Sequence, residues 1–168
     1  MKITVVVGNP KRASRTGHAA QLLAEDLGGT PEVIEVSELG AGLLGWGDPT
    51  VAQAVSAVAS ADLAIFATPT FKATYTGLLK IFLDQFPTAT GLSGVVAVPL
   101  MLGASPAHAL APELLLKPVL VELGATCPAQ GLYQLDSAYE QDGSRQKWLE
   151  QWKPVVLAAA GRASDVDQ

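Results

Sequence analysis

A rhythm of short apolar runs, each followed by a segment of helical length, repeats five times along the chain and limits its fold more than any other feature. The first run, Ile3-Thr4-Val5-Val6-Val7, is rich in β-branched residues and stops at Gly8. Such a run reads as a strand covered on both faces, because a strand open to water on one side would alternate apolar and polar residues. Further strands are expected at Glu32 to Val36, Leu63 to Ala67, Val95 to Leu100 and near Thr126 to Tyr133. Helices are expected from Thr16 to Leu27, from Pro49 to about Ser60, from about Tyr75 to Phe86, from Pro106 to near Gly124, and from Ser144 to Ala160. Asp48-Pro49 carries an N-cap followed by proline at the first helical position. Pro112 and Pro118 are expected to kink the fourth helix. Right-handed crossovers then build a three-layer α/β domain around a parallel sheet. The expectation is one domain over residues 1–160 with a polar tail over 161–168.

Length and composition agree with this reading. A chain of 168 residues with 49% hydrophobic content is large enough to bury a core. Its net charge of −5 argues against general nucleic-acid binding, which needs a basic surface. The single cysteine, Cys127, permits no internal disulfide and no zinc cluster, and reads as an inert core residue. The uncharged stretch from Gln85 to Pro112 is broken by Pro87, Gly91, Gly94, Pro99 and Gly103, so no membrane span is expected. A cytoplasmic protein is the simplest expectation.

In a parallel sheet of this kind, ligands bind beyond the carboxyl ends of the strands. The loops after strands one, three and four should therefore converge. The first is Gly8-Asn9-Pro10-Lys11-Arg12-Ala13-Ser14-Arg15-Thr16, with three cations within five residues of an acidic chain. A helix N-terminus offers unpaired N–H groups and a positive dipole end, which suits a phosphate. Ser14 and Thr16 add hydroxyls, while Lys11, Arg12 and Arg15 add charge. The plainer alternative is a solvated turn with Ser14 as an N-cap. Neither a P-loop nor a G-x-G-x-x-G pattern is present. The second loop, Thr68 to Gly77, carries Pro69, Thr70, Phe71, Lys72 and Tyr75. On spacing alone, Phe71 and Tyr75 serve equally as walls for a planar ligand or as a packing plug. The third loop, Leu102-Gly103-Ala104-Ser105, has small residues that let a backbone approach a ligand, and it is by itself an ordinary tight turn.

Three segments carry a resemblance. They are Gly8-x-Pro10-x-Arg12-x-Ser14-x-Thr16; Thr68-Pro69-x-x-Lys72-Ala73-x-Tyr75-x-Gly77-x-Leu79-Lys80 with Asp84 and Pro87; and Ala107-His108 with Leu116-Lys117-Pro118-Val119-Leu120. Over about residues 2 to 135 the chain resembles the NADPH-dependent FMN reductase family of the flavodoxin-like superfamily, closest to the reductases that feed sulfonate monooxygenases. The resemblance implies a five-stranded sheet of order 2-1-3-4-5. It implies that Arg12, Ser14 and Thr16 hold the FMN phosphate, with Asn9, Lys11 and Arg15 of the same loop as further cofactor-binding candidates. It places Pro69, Thr70, Phe71 and Lys72 along the isoalloxazine and Tyr75 near the subunit contact and flavin site, with Gly103, Ala104 and Ser105 flanking the same pocket. Asn9 stands where serine is usual, Phe71 where tyrosine is common, and Ala104-Ser105 where glycine or threonine is commoner.

The implied chemistry is hydride transfer from NADPH or NADH to flavin N5, with no obligatory acid, base or metal. A homodimer or homotetramer and a flavin-dependent monooxygenase partner are further implications. Two other readings stay open: an NAD(P)H quinone- or azo-type reductase with bound FMN, and a non-enzymatic flavodoxin-like electron carrier. A phosphoryl-accepting receiver domain is disfavoured, because the first and third strands end without an aspartate. His18 reads as a surface residue and His108 as a pocket-edge candidate. Lys80 and Asp84 read as a helix-surface ion pair. Trp148 and Trp152 read as one core-facing stripe. The Gly40 to Gly47 stretch with Trp46 reads as a flap or a loop.

Overall fold

A computed structural model describes residues 1–165, with side chains through residue 161. Strands β1 (Ile3–Val7), β2 (Glu32–Glu35), β3 (Leu63–Pro69), β4 (Val96–Gly103) and β5 (Leu132–Leu135) form one sheet in the order β2-β1-β3-β4-β5, all neighbours parallel. This is the order expected of a flavodoxin-like sandwich. The three central strands are buried on both faces, as their unbroken apolar runs require.

Alternate residues divide the core in two. Val6, Phe66, Ala97 and Met101 face helices α2 (Pro49–Ala59), α3 (Gly77–Leu83) and α4 (Lys117–Glu122). Val5, Val7, Ile65, Val98 and Leu100 face helices α1 (Arg15–Asp26) and α5 (Ser144–Asp165). Asp48 caps α2 through Thr50 and Val51 N–H, with Pro49 in its first turn. Trp148 is buried in the second core with Trp152 packed beside it, and the Trp148 indole donates to Gln130 O at 2.7 Å. Lys80 and Asp84 pair at 2.5 Å on α3.

Several boundaries differ from the sequence expectation. β3 and β4 run on through Pro69 and Gly103, so the second and third loops begin inside strands. The third helix is shorter than expected, because Thr76 caps it and its first residue is Gly77. The fifth strand starts at Leu132; Thr126 makes only an isolated bridge to Val96. The last helix continues beyond residue 160 through Asp165, while residues 166–168 of the polar tail lie outside the described residues. Gly40 to Leu44 belongs to a 3-10 stretch over Val36–Leu44, bent at Gly40, and Trp46 beyond it is exposed.

The fourth helix is not one kinked rod. A 3-10 turn at Pro106–His108, a π turn at Pro112–Leu116 and α4 replace it. Proline removes an N–H and crowds the preceding turn, and a wider π turn accommodates both. Glu113 holds this turn in place: its carboxylate accepts from Gly131 N–H at 2.8 Å and pairs with Lys117 at 2.9 Å. Burial alone would raise its pKa, but the Gly131 N–H and the Lys117 ammonium outweigh it and hold the carboxyl below its ordinary value of 4.5. This stabilisation is complete above pH 4.5 and is lost as pH falls through the lowered folded value. Glu113→Ala should therefore cost about 1–3 kcal/mol in urea unfolding at pH 7. The gap to wild type should narrow in acid, and a constant gap across pH would refute the assignment.

Candidate functional site

The carboxyl ends of β1, β3, β4 and β5 meet around a cleft of about 630 Å³, within the range of small-ligand sites. Its first wall is the β1–α1 loop. Ser14 N-caps α1, accepting from Gly17 N–H at 3.2 Å. The helix start leaves the N–H groups of Arg15 and Thr16 without intrahelical acceptors. The Asn9 side-chain amide ties the loop to the helix, its Nδ2 donating to Thr16 Oγ1 at 3.0 Å and its Oδ1 accepting from Lys11 N–H at 2.9 Å. Lys11 and Arg15 line the cleft, so positive charge gathers where the dipole of α1 is also positive.

The opposite wall is Pro69, Thr70 and Phe71. Thr70 N–H donates to Leu102 O at 2.6 Å, which carries the β3–β4 pairing into the loop. Phe71 and Thr74 then exchange backbone hydrogen bonds at 2.9 and 3.2 Å around a two-residue turn. Lys72 and Ala73 hold φ of 51° and 71° there, a left-handed region in which side chains are strained. Phe71 is 51% exposed, so it is a rim residue and not a core plug.

The floor is Leu102, Gly103 and Ala104. Tyr133 stands beneath it, its hydroxyl donating to Ser105 O at 2.6 Å. Burial raises the Tyr133 pKa against the opposing pull of the Thr70 hydroxyl, and Asp136 adds to the rise. A Cβ on Gly103 would lie 1.9 Å from that phenolic oxygen, so only glycine fits.

Of the residues expected at a cofactor site, Asn9, Lys11, Ser14, Arg15, Thr16, Pro69, Thr70, Phe71, Gly103 and Ala104 line this one cleft. Four do not. Arg12 turns away and pairs with Glu38. Lys72 sits exposed at the tip of its turn. Tyr75 packs against the α2–α3 core. Ser105 caps the 3-10 turn, accepting from Ala107 N–H at 3.3 Å.

Sequence reasoning did not name Pro10, Ala13, Leu102 or Asp136 among the cofactor-site residues, yet all four line the cleft. Asp136 follows β5, and the Arg15 guanidinium donates to its backbone carbonyl at 3.0 Å and pairs with its carboxylate at 3.3 Å. The signal was available, since the fifth strand also ends on the carboxyl edge. His108 lines a second, apolar cavity with Leu110, Leu114 and Leu115, while His18 bonds Tyr139 Oη at 2.8 Å on the surface of α1.

Burial pushes the Cys127 thiol up to about 11, so it remains a protonated, unreactive thiol at neutral pH. Among the described residues no cluster of three or more His, Cys, Asp or Glu could hold a metal, and no helix is long and apolar enough to cross a membrane. Gly103→Ala should shift the floor against Tyr133 and cost about 1–3 kcal/mol in thermal or urea unfolding; an unchanged midpoint would show that the Tyr133 ring yields freely.

The chain is similar to known proteins in sequence and fold. The chain is 31% identical to an FMN reductase (NADPH) of Pseudomonas putida over 166 residues, covering 95% of this chain and 80% of the relative. It is 30% identical to an NADH-dependent FMN reductase, SfnF, of Pseudomonas putida over 151 residues, covering 84% and 81%. The crystal structure of the apo form of an NADH:FMN oxidoreductase (EmoB) superposes with a TM-score of 0.81 at 31% identity, covering 95% of this chain and 88% of that one. The sequence profile of NADPH-dependent FMN reductases matches residues 1–140, which contain every residue that lines the cleft. The chain therefore belongs to the NADPH-dependent FMN reductase family.

Proposed function

We propose that this protein oxidises NADPH or NADH and reduces FMN in the cleft between the β1–α1 loop and Pro69–Phe71. The observation that carries the proposal is the pairing of a cationic helix N-terminus with a flat, partly apolar wall across one cleft. A phosphate and a planar ring at opposite ends of one molecule need two such surfaces within one cleft. Lys11, Arg15 and the first N–H groups of α1 would hold the phosphate. Pro69, Thr70 and Phe71 would bound the ring on one side, and Gly103 and Ala104 would let the backbone approach it closely. When bound, the flavin supplies the hydride-accepting centre, and the chain's contribution is to bind, orient and exclude water. No side chain in the cleft is required as an acid or base.

The relatives divide between NADPH and NADH in their names, so both nicotinamides belong in the test. Purified protein with either nicotinamide, followed at 340 nm, should show oxidation that requires and saturates with added FMN. Oxidation without added flavin by a yellow preparation would move the reading to a quinone-type reductase with fixed FMN. No oxidation under either condition would leave an electron carrier and refute the reductase. Release of reduced FMN to a flavin-dependent monooxygenase is part of the same proposal, and product formed above a free-flavin control in a coupled assay tests it.

Two further outcomes are expected. Lys11→Ala should weaken FMN by about 1 kcal/mol, as a solvent-screened charge-assisted contact does, and leave riboflavin unchanged; equal loss for both flavins would refute the phosphate assignment. A homodimer or homotetramer is also proposed. Leu110, Leu114 and Leu115 stand exposed around the π turn and are the surface a second copy would cover. Leu114→Glu should lower the sedimentation mass, and an unchanged mass would place the contact elsewhere.

A further inference from the structure

The first loop carries three cations, but only Lys11 and Arg15 face the cleft. Arg12 lies between Lys11 and Ala13, both of which line it, yet its guanidinium turns outward to Glu38 in the 3-10 stretch after β2. The Arg12 side chain is 75% exposed and that of Glu38 43%. Behind the pair, the loop backbone is tied down separately. Ala13 holds φ of 47° and gives its N–H to the Glu35 carboxyl at the end of β2. Burial raises the Glu35 pKa and Glu38 raises it further, while Ala13 N–H and Arg12 pull it down. One Glu35 oxygen is buried without a partner. Glu35 thus braces the backbone on one side of Ser14, and Glu38 determines where the neighbouring guanidinium points.

An exposed ion pair of this kind is weak, because water and salt screen it and two long side chains must be ordered to form it. A phosphate offers more charge and more acceptor oxygens than a carboxylate. A phosphate bound in the cleft would therefore compete with Glu38 for Arg12 from the other side of one flexible stem. We infer that Glu38 is a specificity-determining residue: it competes with the flavin phosphate for Arg12 and holds the preference for FMN over riboflavin below what the loop could give. The inference rests on the reading that this loop takes the FMN phosphate. A flavin held below the loop's full capacity leaves readily after reduction, which suits a substrate more than a prosthetic group.

The test is a double-mutant cycle read by quenching of flavin fluorescence, with FMN and riboflavin titrated into wild type, Glu38→Gln, Arg12→Ala and the double variant. Glu38→Gln should tighten FMN about two- to five-fold, the range that breaking an exposed pair releases, and leave riboflavin unchanged. In the Arg12→Ala background the same change should give no gain. An unchanged FMN affinity in Glu38→Gln would overturn the inference. An equal gain in both backgrounds would also overturn it, since that marks a general charge effect and not competition for Arg12. If wild type binds FMN and riboflavin equally, the phosphate reading itself fails, an outcome distinct from the other two.

Discussion

Gly8 has no room for a side chain. A methyl group on its Cα would stand 2.5 Å from Leu79 Cβ, so the end of β1 rests directly on α3. Thr76 completes the contact: its hydroxyl donates to Gly8 O at 2.6 Å and accepts from Leu79 N–H at 3.1 Å. Thr68 Oγ1 receives Thr76 N–H at 3.1 Å, which draws in the end of β3. Thr76 is therefore both the N-cap of α3 and the bolt between two strand ends. Every residue in this knot is buried, where an unmade hydrogen bond is expensive. Because β1 and β3 are locked together at this point, the loops that leave them must open toward the same side, and the cleft follows.

The cleft walls hold three of the four non-glycine residues with positive φ among the described residues; the fourth is Ala89. Ala13, Lys72 and Ala73 hold positive φ without being glycine, and all lie in the two loops that form its walls. Such conformations persist where surrounding hydrogen bonds over-determine them. Glu35 holds Ala13, and the Phe71–Thr74 pair holds the two turn residues. The charge distribution is equally local. An acidic protein gathers Lys11, Arg12 and Arg15 in one loop, pairing Arg15 with Asp136 at the rim and Arg12 with Glu38 outside it. Lys11 adds its charge to the cleft beside the Arg15–Asp136 pair, which favours an anion of defined position over general attraction.

The limits of the linear reading lie in the segments where several weak preferences compete. Pro112 and Pro118 were legible as helix perturbations, but a kinked helix and a π turn satisfy the same local constraints. Glu113, bridging to Gly131 18 residues away, decides between them. Likewise β4 gains its last residues because Leu102 and Gly103 pair with Gln134 and Leu135, a long-range benefit that a window of neighbours does not contain. Gly103 reads as a permissive turn residue in the sequence; in the structure it is required because the Tyr133 hydroxyl occupies the space a Cβ would need.

The sequence by itself determined the parallel sheet, its layers, and the convergence of three loops at one edge. Those properties follow from local patterns: apolar runs without alternation, caps at Asp48 and Ser14, and crossover handedness. It also named most of the residues that line the cleft, because their position after strands one, three and four implies their location. Only the tertiary structure decided which way each side chain points. Arg12 and Arg15 are alike in composition and lie three residues apart, yet one faces Glu38 and the other Asp136 at the rim. The acidic partners come from β2's following turn and from the end of β5, distant in sequence, and the orientation of a flexible cation is settled by whichever fixed charge the fold brings within reach.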